Sequence, residues 1–147
     1  MTVIEPGRST DYTSTAGFGA FFADIEPALR RALVATFGAD RGRDAAAEAL
    51  AWAWEHRDRL AGLNHPLRYL YRVGQSRGRR RLVRLPFVRV GWDAPDVEPR
   101  LVPALRELSE RQRVAVVLIH GYGWTYAEVA DLLELTVSTV QTHAERG

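Results

Sequence analysis

The sequence predicts an all-α protein made of two small helical bundles, joined by a short Pro/Gly-containing linker, the second containing a helix-turn-helix. Three observations carry this. Apolar residues recur at spacings of three and four, and no segment alternates with the period of a strand. The stretch 85–100, LPFVRVGWDAPDVEPR, holds three prolines and a glycine, which excludes a long helix and divides the chain. The last third carries three polar tetrads of the helix-capping type, Ser109–Gln112, Thr125–Glu128 and Ser138–Gln141.

Residues 1–17 are rich in Thr, Ser and Gly, lack periodicity and read as a flexible tail. A first helix is expected from about Phe21 to Phe37, with Phe22, Ile25, Leu29, Leu33 and Phe37 on one face and Gly38 as its stop. Pro27 fits such a helix only near its first turn. A second runs from about Arg43 to Arg59, with Ala46, Leu50 and Trp54 on one stripe and Trp52 pointing elsewhere; Trp54 reads as core. After a break over 60–65 a third helix opens at Asn64-His-Pro, where Asn suits the cap and Pro the first turn, and continues to about Arg84. Gly74 and Gly78 sit four apart in it. A helical Gly costs about 1 kcal/mol relative to Ala, so a close neighbour is expected there. Domain units are therefore expected at 18–84 and 101–147, with 85–100 as linker.

In the second unit Leu101, Leu105 and Leu108 make a short apolar stripe. The tetrad at Ser109 opens a helix carrying Val114, Val117 and Leu118, which Gly121 and Gly123 end. Thr125 opens a short helix through Val129, Ala130, Leu132 and Leu133, and Ser138 can open a last one. Over 125–146 this is helix-turn-helix spacing, with small Ala130 at the crossing and Val137 and Val140 turned inward. Ser138, Thr139, Gln141, Thr142, His143 and Arg146 then face outward, where Gln suits adenine, Arg suits guanine, and Ser and Thr suit phosphates or bases. Glu134 occupies the turn, a place where Gly is easiest because a positive φ is often needed.

Composition narrows the classes. The chain has 147 residues, 46% of them apolar and 26% charged, an ordinary globular balance. It has no Cys, which excludes thiol catalysis and zinc ribbons. The longest apolar run of the last third, Val114–Ile119, is far short of a membrane span, and the N-terminal MTVIEPGRSTDYTST has no signal-peptide core, so a cytoplasmic protein without a membrane partner is expected. His56, His65, His120 and His143 are scattered. With no phosphate-cradling Gly loop or nucleophile elbow, no enzyme, metal, cofactor or small-molecule substrate is expected.

All twenty basic residues are Arg. They are unevenly placed: 65–89 holds eight Arg and no acid, whereas 90–147 holds five Arg against nine acids. An Arg-only segment beside an acidic half points to a polyanion partner for the first unit, although a solvated helix face would also carry such charge.

These residues resemble a known family. Residues 104–146, ALRELSERQRVAVVLIHGYGWTYAEVADLLELTVSTVQTHAER, are similar to region 4 of the extracytoplasmic-function group of bacterial sigma factors, best at Arg111-Gln-Arg and Tyr126-Ala-Glu-Val-Ala. GRDAAAEALAWAWEHRDRL resembles region 2.2, and HPLRYLYRVGQSRGRRRL, especially Tyr69-Leu-Tyr-Arg-Val, resembles regions 2.3 and 2.4. The resemblance covers about residues 18–147, and the Arg-only basicity fits an actinobacterial member. It implies a factor that binds core RNA polymerase and directs promoter-specific initiation. Region 2.2 would dock on the polymerase through Asp44, Glu48, Trp52 and Glu55, with Ala47 standing where the family usually has Gln. Leu63, Asn64, His65, Arg68, Tyr69, Arg72, Arg77, Arg79, Arg80 and Arg81 would meet minus-ten promoter DNA, with Tyr69 or Tyr71 as a stacking surface and the other in the core. Thr125, Ser138, Thr139, Gln141, Thr142, His143 and Arg146 would meet the minus-thirty-five element. Sequestration by an anti-sigma factor is usual in the family. Two alternatives stand beside this: a helix-turn-helix regulator that never touches polymerase, and a sigma-like protein without initiation activity.

Overall fold

The computed structural model describes residues 12–84 and 100–147; most of the expected tail and the linker 85–99 lie outside the described residues. All regular structure within them is helical. In chain order it comprises α1 (Thr15–Phe37), α2 (Ala39–Glu55), α3 (Arg57–Leu60), α4 (Pro66–Arg84), α5 (Leu101–Glu107), α6 (Glu110–Val116), α7 (Tyr126–Leu133) and α8 (Val137–Arg146). A π turn over Val117–Gly121 prolongs α6.

The first helix begins earlier than its apolar pattern predicts. Ser14 accepts a hydrogen bond from the Gly17 amide at 3.1 Å, a cap that sets α1 going at Thr15, so residues 15–17 are helical and not tail. Pro27 consequently stands inside the helix, where it removes the donor for the Ala23 carbonyl. The longer helix also brings Phe18 and Phe21 into the core with Ile25, Leu29 and Leu33, and leaves Phe22, expected inside, 43% exposed.

Gly38, with φ 89°, reverses the chain directly into α2, which therefore starts at Ala39 instead of Arg43. Ala45, Ala46, Ala49 and Ala53 form its buried stripe, and these small side chains let α2 lie close to α1. Trp54, expected in the core, is 41% exposed: Phe18 meets its ring edge-on at 4.9 Å and the Arg57 guanidinium lies over it, and no helix among the described residues covers the rest. Helix α4 opens at Pro66, so the flanking position is His65 and the expected cap Asn64 lies exposed one residue further out. The expectation for its glycines holds: a Cβ at Gly74 would meet Leu33 Cδ1 at 2.5 Å, and one at Gly78 would meet Phe37 Cε2 at 2.6 Å.

Between those glycines and the second half sits Tyr71, 2% exposed, its hydroxyl 2.7 Å from Thr36 Oγ1. Thr36 Oγ1 in turn lies 2.9 Å from the Ala32 carbonyl oxygen, to which it can donate. Burial pushes the Tyr71 phenol up to about 12, with the Thr36 hydrogen bond opposing. The unfolded chain therefore ionises this phenol first as pH climbs. Its contribution is intact below about pH 10 and is lost as pH rises through about 12, on the order of 2–3 kcal/mol in all. Urea unfolding across that window should show the decline, and Tyr71→Phe should flatten it.

In the second half the tetrads at Ser109 and Thr125 are true capping boxes: the side chain of each cap accepts from the third amide, while Gln112 or Glu128 reaches back to the cap amide. The third tetrad is displaced. Thr136, not Ser138, caps α8 by accepting from the Thr139 amide at 3.1 Å. With α8 starting at Val137, Val140 and Ala144 point inward and Val137 is 49% exposed. Of the expected leucine stripe on α5 only Leu105 is buried, and Leu101 is exposed.

The halves are not separate. Val114, Leu118, Val129 and Val140 belong to the same buried cluster as Ile25, Leu33 and Leu70. Helix α6 packs on α1 and α7 on α4. Arg113 Nη2 donates to the Thr36 carbonyl at 3.1 Å, joining α6 to the end of α1.

Candidate nucleic-acid interface

Helix α4 carries seven of the twenty Arg, and its geometry sorts them. At 100° per residue, Arg68, Arg72, Gln75 and Arg79 fall on one stripe, whereas Tyr69, Arg77 and Arg80 fall on another about a quarter to half a turn away. The side chains of Arg81 and Arg84 lie outside the described residues.

The first stripe faces the second half and meets carboxylates along its length. Arg68 Nη1 donates to Glu134 Oε1 at 3.3 Å and its Nη2 lies 3.8 Å from Asp131 Oδ1; Arg72 pairs with Glu134 Oε2. His65 Nδ1 stands 3.7 Å from Asp131 Oδ2. Gln75 and Arg79 both donate to Glu110 Oε1, at 3.3 and 2.7 Å. A cavity of about 250 Å³ lies between the halves here, reached by Arg72, Arg79 and Arg111.

The second stripe is open. Tyr69 is 37% exposed, and Trp52 lies beside it with ring centroids 5.3 Å apart; Trp52 also stacks on His56 at 4.4 Å and 12°. Exposed Arg77 and Arg80 continue along the helix from this aromatic group. Flat rings flanked by guanidinium groups suit unpaired bases and their phosphates. Of the two candidate stacking tyrosines, Tyr71 is core and Tyr69 is accessible. Asn64 and His65 are exposed at the mouth of α4, and Leu63 is half-buried.

Across the molecule, α7 and α8 form the helix-turn-helix. Leu135 N–H donates to the Ala130 carbonyl at 3.0 Å across the turn, and Glu134 takes φ 55°, the left-handed position. A non-glycine there costs about 1 kcal/mol or more. Ser138, Gln141, Thr142 and Arg146 are exposed on α8, with Thr139 and His143 half-buried. Several of these polar groups already have partners: Thr142 Oγ1 donates to the Ser138 carbonyl, Gln141 Nε2 to Glu145, and Thr139 Oγ1 meets Thr136 Oγ1. Thr125 is exposed but engaged as the α7 cap.

On α2, Asp44, Glu48, Trp52 and Glu55 share one side. Next to that side lies a feature absent from the sequence expectations, an apolar groove of about 530 Å³ between α1 and α2. Phe22, Ala47, Leu50, Ala51 and Trp54 line it, with Glu26, Arg30 and Arg43 at its rim. Its signal was the pair of bulky residues, Phe22 and Trp54, that helical spacing had assigned to the core.

Residues 100–147 match the family model of sigma-70, region 4. The matched segment spans α5 to α8, including the helix-turn-helix. Among solved structures, the chain is similar to the sigma factor RpoE in its complex with the anti-sigma factor NepR from Bartonella quintana. That match has a TM-score of 0.60 and 24% identity and covers 88% of this chain and 90% of that one. The all-helical architecture is thus shared on both sides of the region 4 boundary. Comparison with curated proteins finds no match. Among the described residues no helix is long and apolar enough to cross a membrane.

Proposed function

We propose that the chain is a sigma factor of the extracytoplasmic-function type. It would bind core RNA polymerase in the cytoplasm and direct initiation at promoters through minus-ten and minus-thirty-five contacts. The observation that carries this is a region 4 helix-turn-helix on the same chain as an Arg-only helix, within a fold shared with a sigma factor. Residues 18–84 would serve as the region 2 unit and 101–147 as the region 4 unit, with 85–100 between them. The exposed face of α8 would read the upstream duplex. Tyr69, Trp52, Arg77 and Arg80 would receive bases unstacked at the downstream element, with Asn64 and His65 at the edge of that surface. Capture of those bases offsets the few kcal/mol of unstacking. Two modest sites on one chain suffice, because the second binds at the high effective concentration set by the first.

The test is association of the full chain with bacterial core RNA polymerase, followed by run-off transcription on genomic fragments. Stable association with discrete transcripts is expected. Arg77→Ala with Arg80→Ala should keep polymerase association and lower transcript yield about tenfold, through lost phosphate contacts. Association without transcripts would favour a sigma-like protein without initiation activity. Duplex binding without polymerase association would favour a stand-alone regulator. An anti-sigma partner is a further expectation; the structural relative was crystallised with one.

A further inference from the structure

Every charged member of the inner stripe of α4 faces a carboxylate from the second half. Arg68 and Arg72 share Glu134, Arg68 also faces Asp131, and Arg79 holds Glu110. The partner of the Arg-only segment is thus found first within the chain, in its acid-rich half. We propose that Glu134, Asp131 and Glu110 form an intramolecular latch that imitates a run of nucleic-acid phosphates on α4 and holds the free chain closed.

Three features support the assignment. The carboxylates come from separate elements, the end of α7 and the first residue of α6, yet converge on residues of α4 that follow one another on one face, one turn and then two turns apart. Glu134 takes the left-handed conformation that Gly adopts without penalty, so its side chain is present despite a backbone preference against it. The carboxylate it supplies then stands between two guanidinium groups. Finally, Arg113 reaches from α6 to the Thr36 carbonyl at 3.1 Å, a further polar tie between the halves beside these charges.

Arg68, Arg72 and Arg79 cannot hold these carboxylates and a nucleic-acid backbone at once. Closure and polyanion binding on this stripe are therefore competing states, and anything that separates the halves releases three guanidinium groups together. The inference rests on the reading of α4 as a nucleic-acid surface for its consequence, but not for the closure itself.

The chain has no Cys, so Asp58→Cys and Glu145→Cys give a single pair of spin labels, one on each half. Pulsed dipolar spectroscopy should find one short distance population in the parent. Glu134→Arg should add a longer one, and the charge swap Glu134→Arg with Arg72→Glu should restore the short one. Glu134→Gln, which adds no positive charge, should bind single-stranded oligothymidine about tenfold more tightly than the parent. That factor is what ~1.4 kcal/mol of lost ion pairing, spread over two partly exposed pairs, corresponds to. Identical distance distributions in parent and Glu134→Arg would overturn the latch, whatever the binding result. Opening without tighter oligothymidine binding would overturn the phosphate mimicry and count against α4 as the nucleic-acid surface, leaving the closure standing.

Discussion

Gly42→Ala should destabilise the chain more than an alanine at any other glycine whose surroundings are described, by ~3 kcal/mol or more. The reason lies in what the new methyl group would meet. A Cβ at Gly42 points into the backbone of α1, against the Val34 amide nitrogen and Cα, with the Leu33 carbonyl carbon at 2.7 Å. A backbone cannot swing aside as a side chain does, so α2 would have to move bodily off α1. That would also loosen Ala45, Ala46, Ala49 and Ala53, the small residues that let the helices approach. Gly74→Ala is the control. Its methyl would meet Leu33 Cδ1 and Cδ2, the far end of a flexible side chain. Rotation of Leu33, and the ~1 kcal/mol by which Ala favours a helix over Gly, should hold that cost to ~1–2 kcal/mol. Urea unfolding followed by circular dichroism would rank the two. A Gly42→Ala protein as stable as Gly74→Ala would mean that the α1–α2 contact is looser than the structure has it.

The contrast between these glycines also shows what a sequence conveys. Gly74 and Gly78 stand inside a clear helical pattern, so their cost in helix propensity advertises a neighbour. Gly42 precedes Arg43, where the apolar pattern starts the second helix, so nothing in the sequence marks it as a helical glycine in close contact. The capping boxes at Ser109 and Thr125 were legible because both partners of each reciprocal pair lie within four residues. Ser138 misled because Thr136, two residues earlier, offers the same chemistry with a better start. Periodicity puts Phe22 and Trp54 with the core because it reveals that a stripe is apolar, not that a neighbouring helix covers it. The basic character of α4 was plain, and so was the acidity of the second half. That Glu134 lies against Arg68, 66 residues away, depends on how α6 and α7 pack on the first half, which no local pattern encodes.

Ala51→Arg should weaken association with core RNA polymerase about 30-fold or more while leaving the fold intact. Ala51 is exposed on α2, between the apolar groove and the acidic side formed by Asp44, Glu48 and Glu55. If a polymerase surface seats in the groove, Phe22, Leu50 and Trp54 supply its apolar centre and the carboxylates its polar rim. An Arg side chain at the boundary would project over the groove and pair with Glu48 and Glu55, three and four residues away, taking both space and rim charge from the interface, a penalty of ~2 kcal/mol or more, which is the 30-fold. Removing one rim charge, as in Glu48→Gln, should act more weakly and mainly through the association rate and its salt dependence. Ala20→Arg makes the same change at an exposed position on the far side of α1 from Phe22 and should leave binding near the parent value. Equal thermal melts for the two variants would show that folding is not the cause. If Ala51→Arg binds polymerase as the parent does, the groove is not the docking surface, and the region 2.2 reading must rest on some other face of α2.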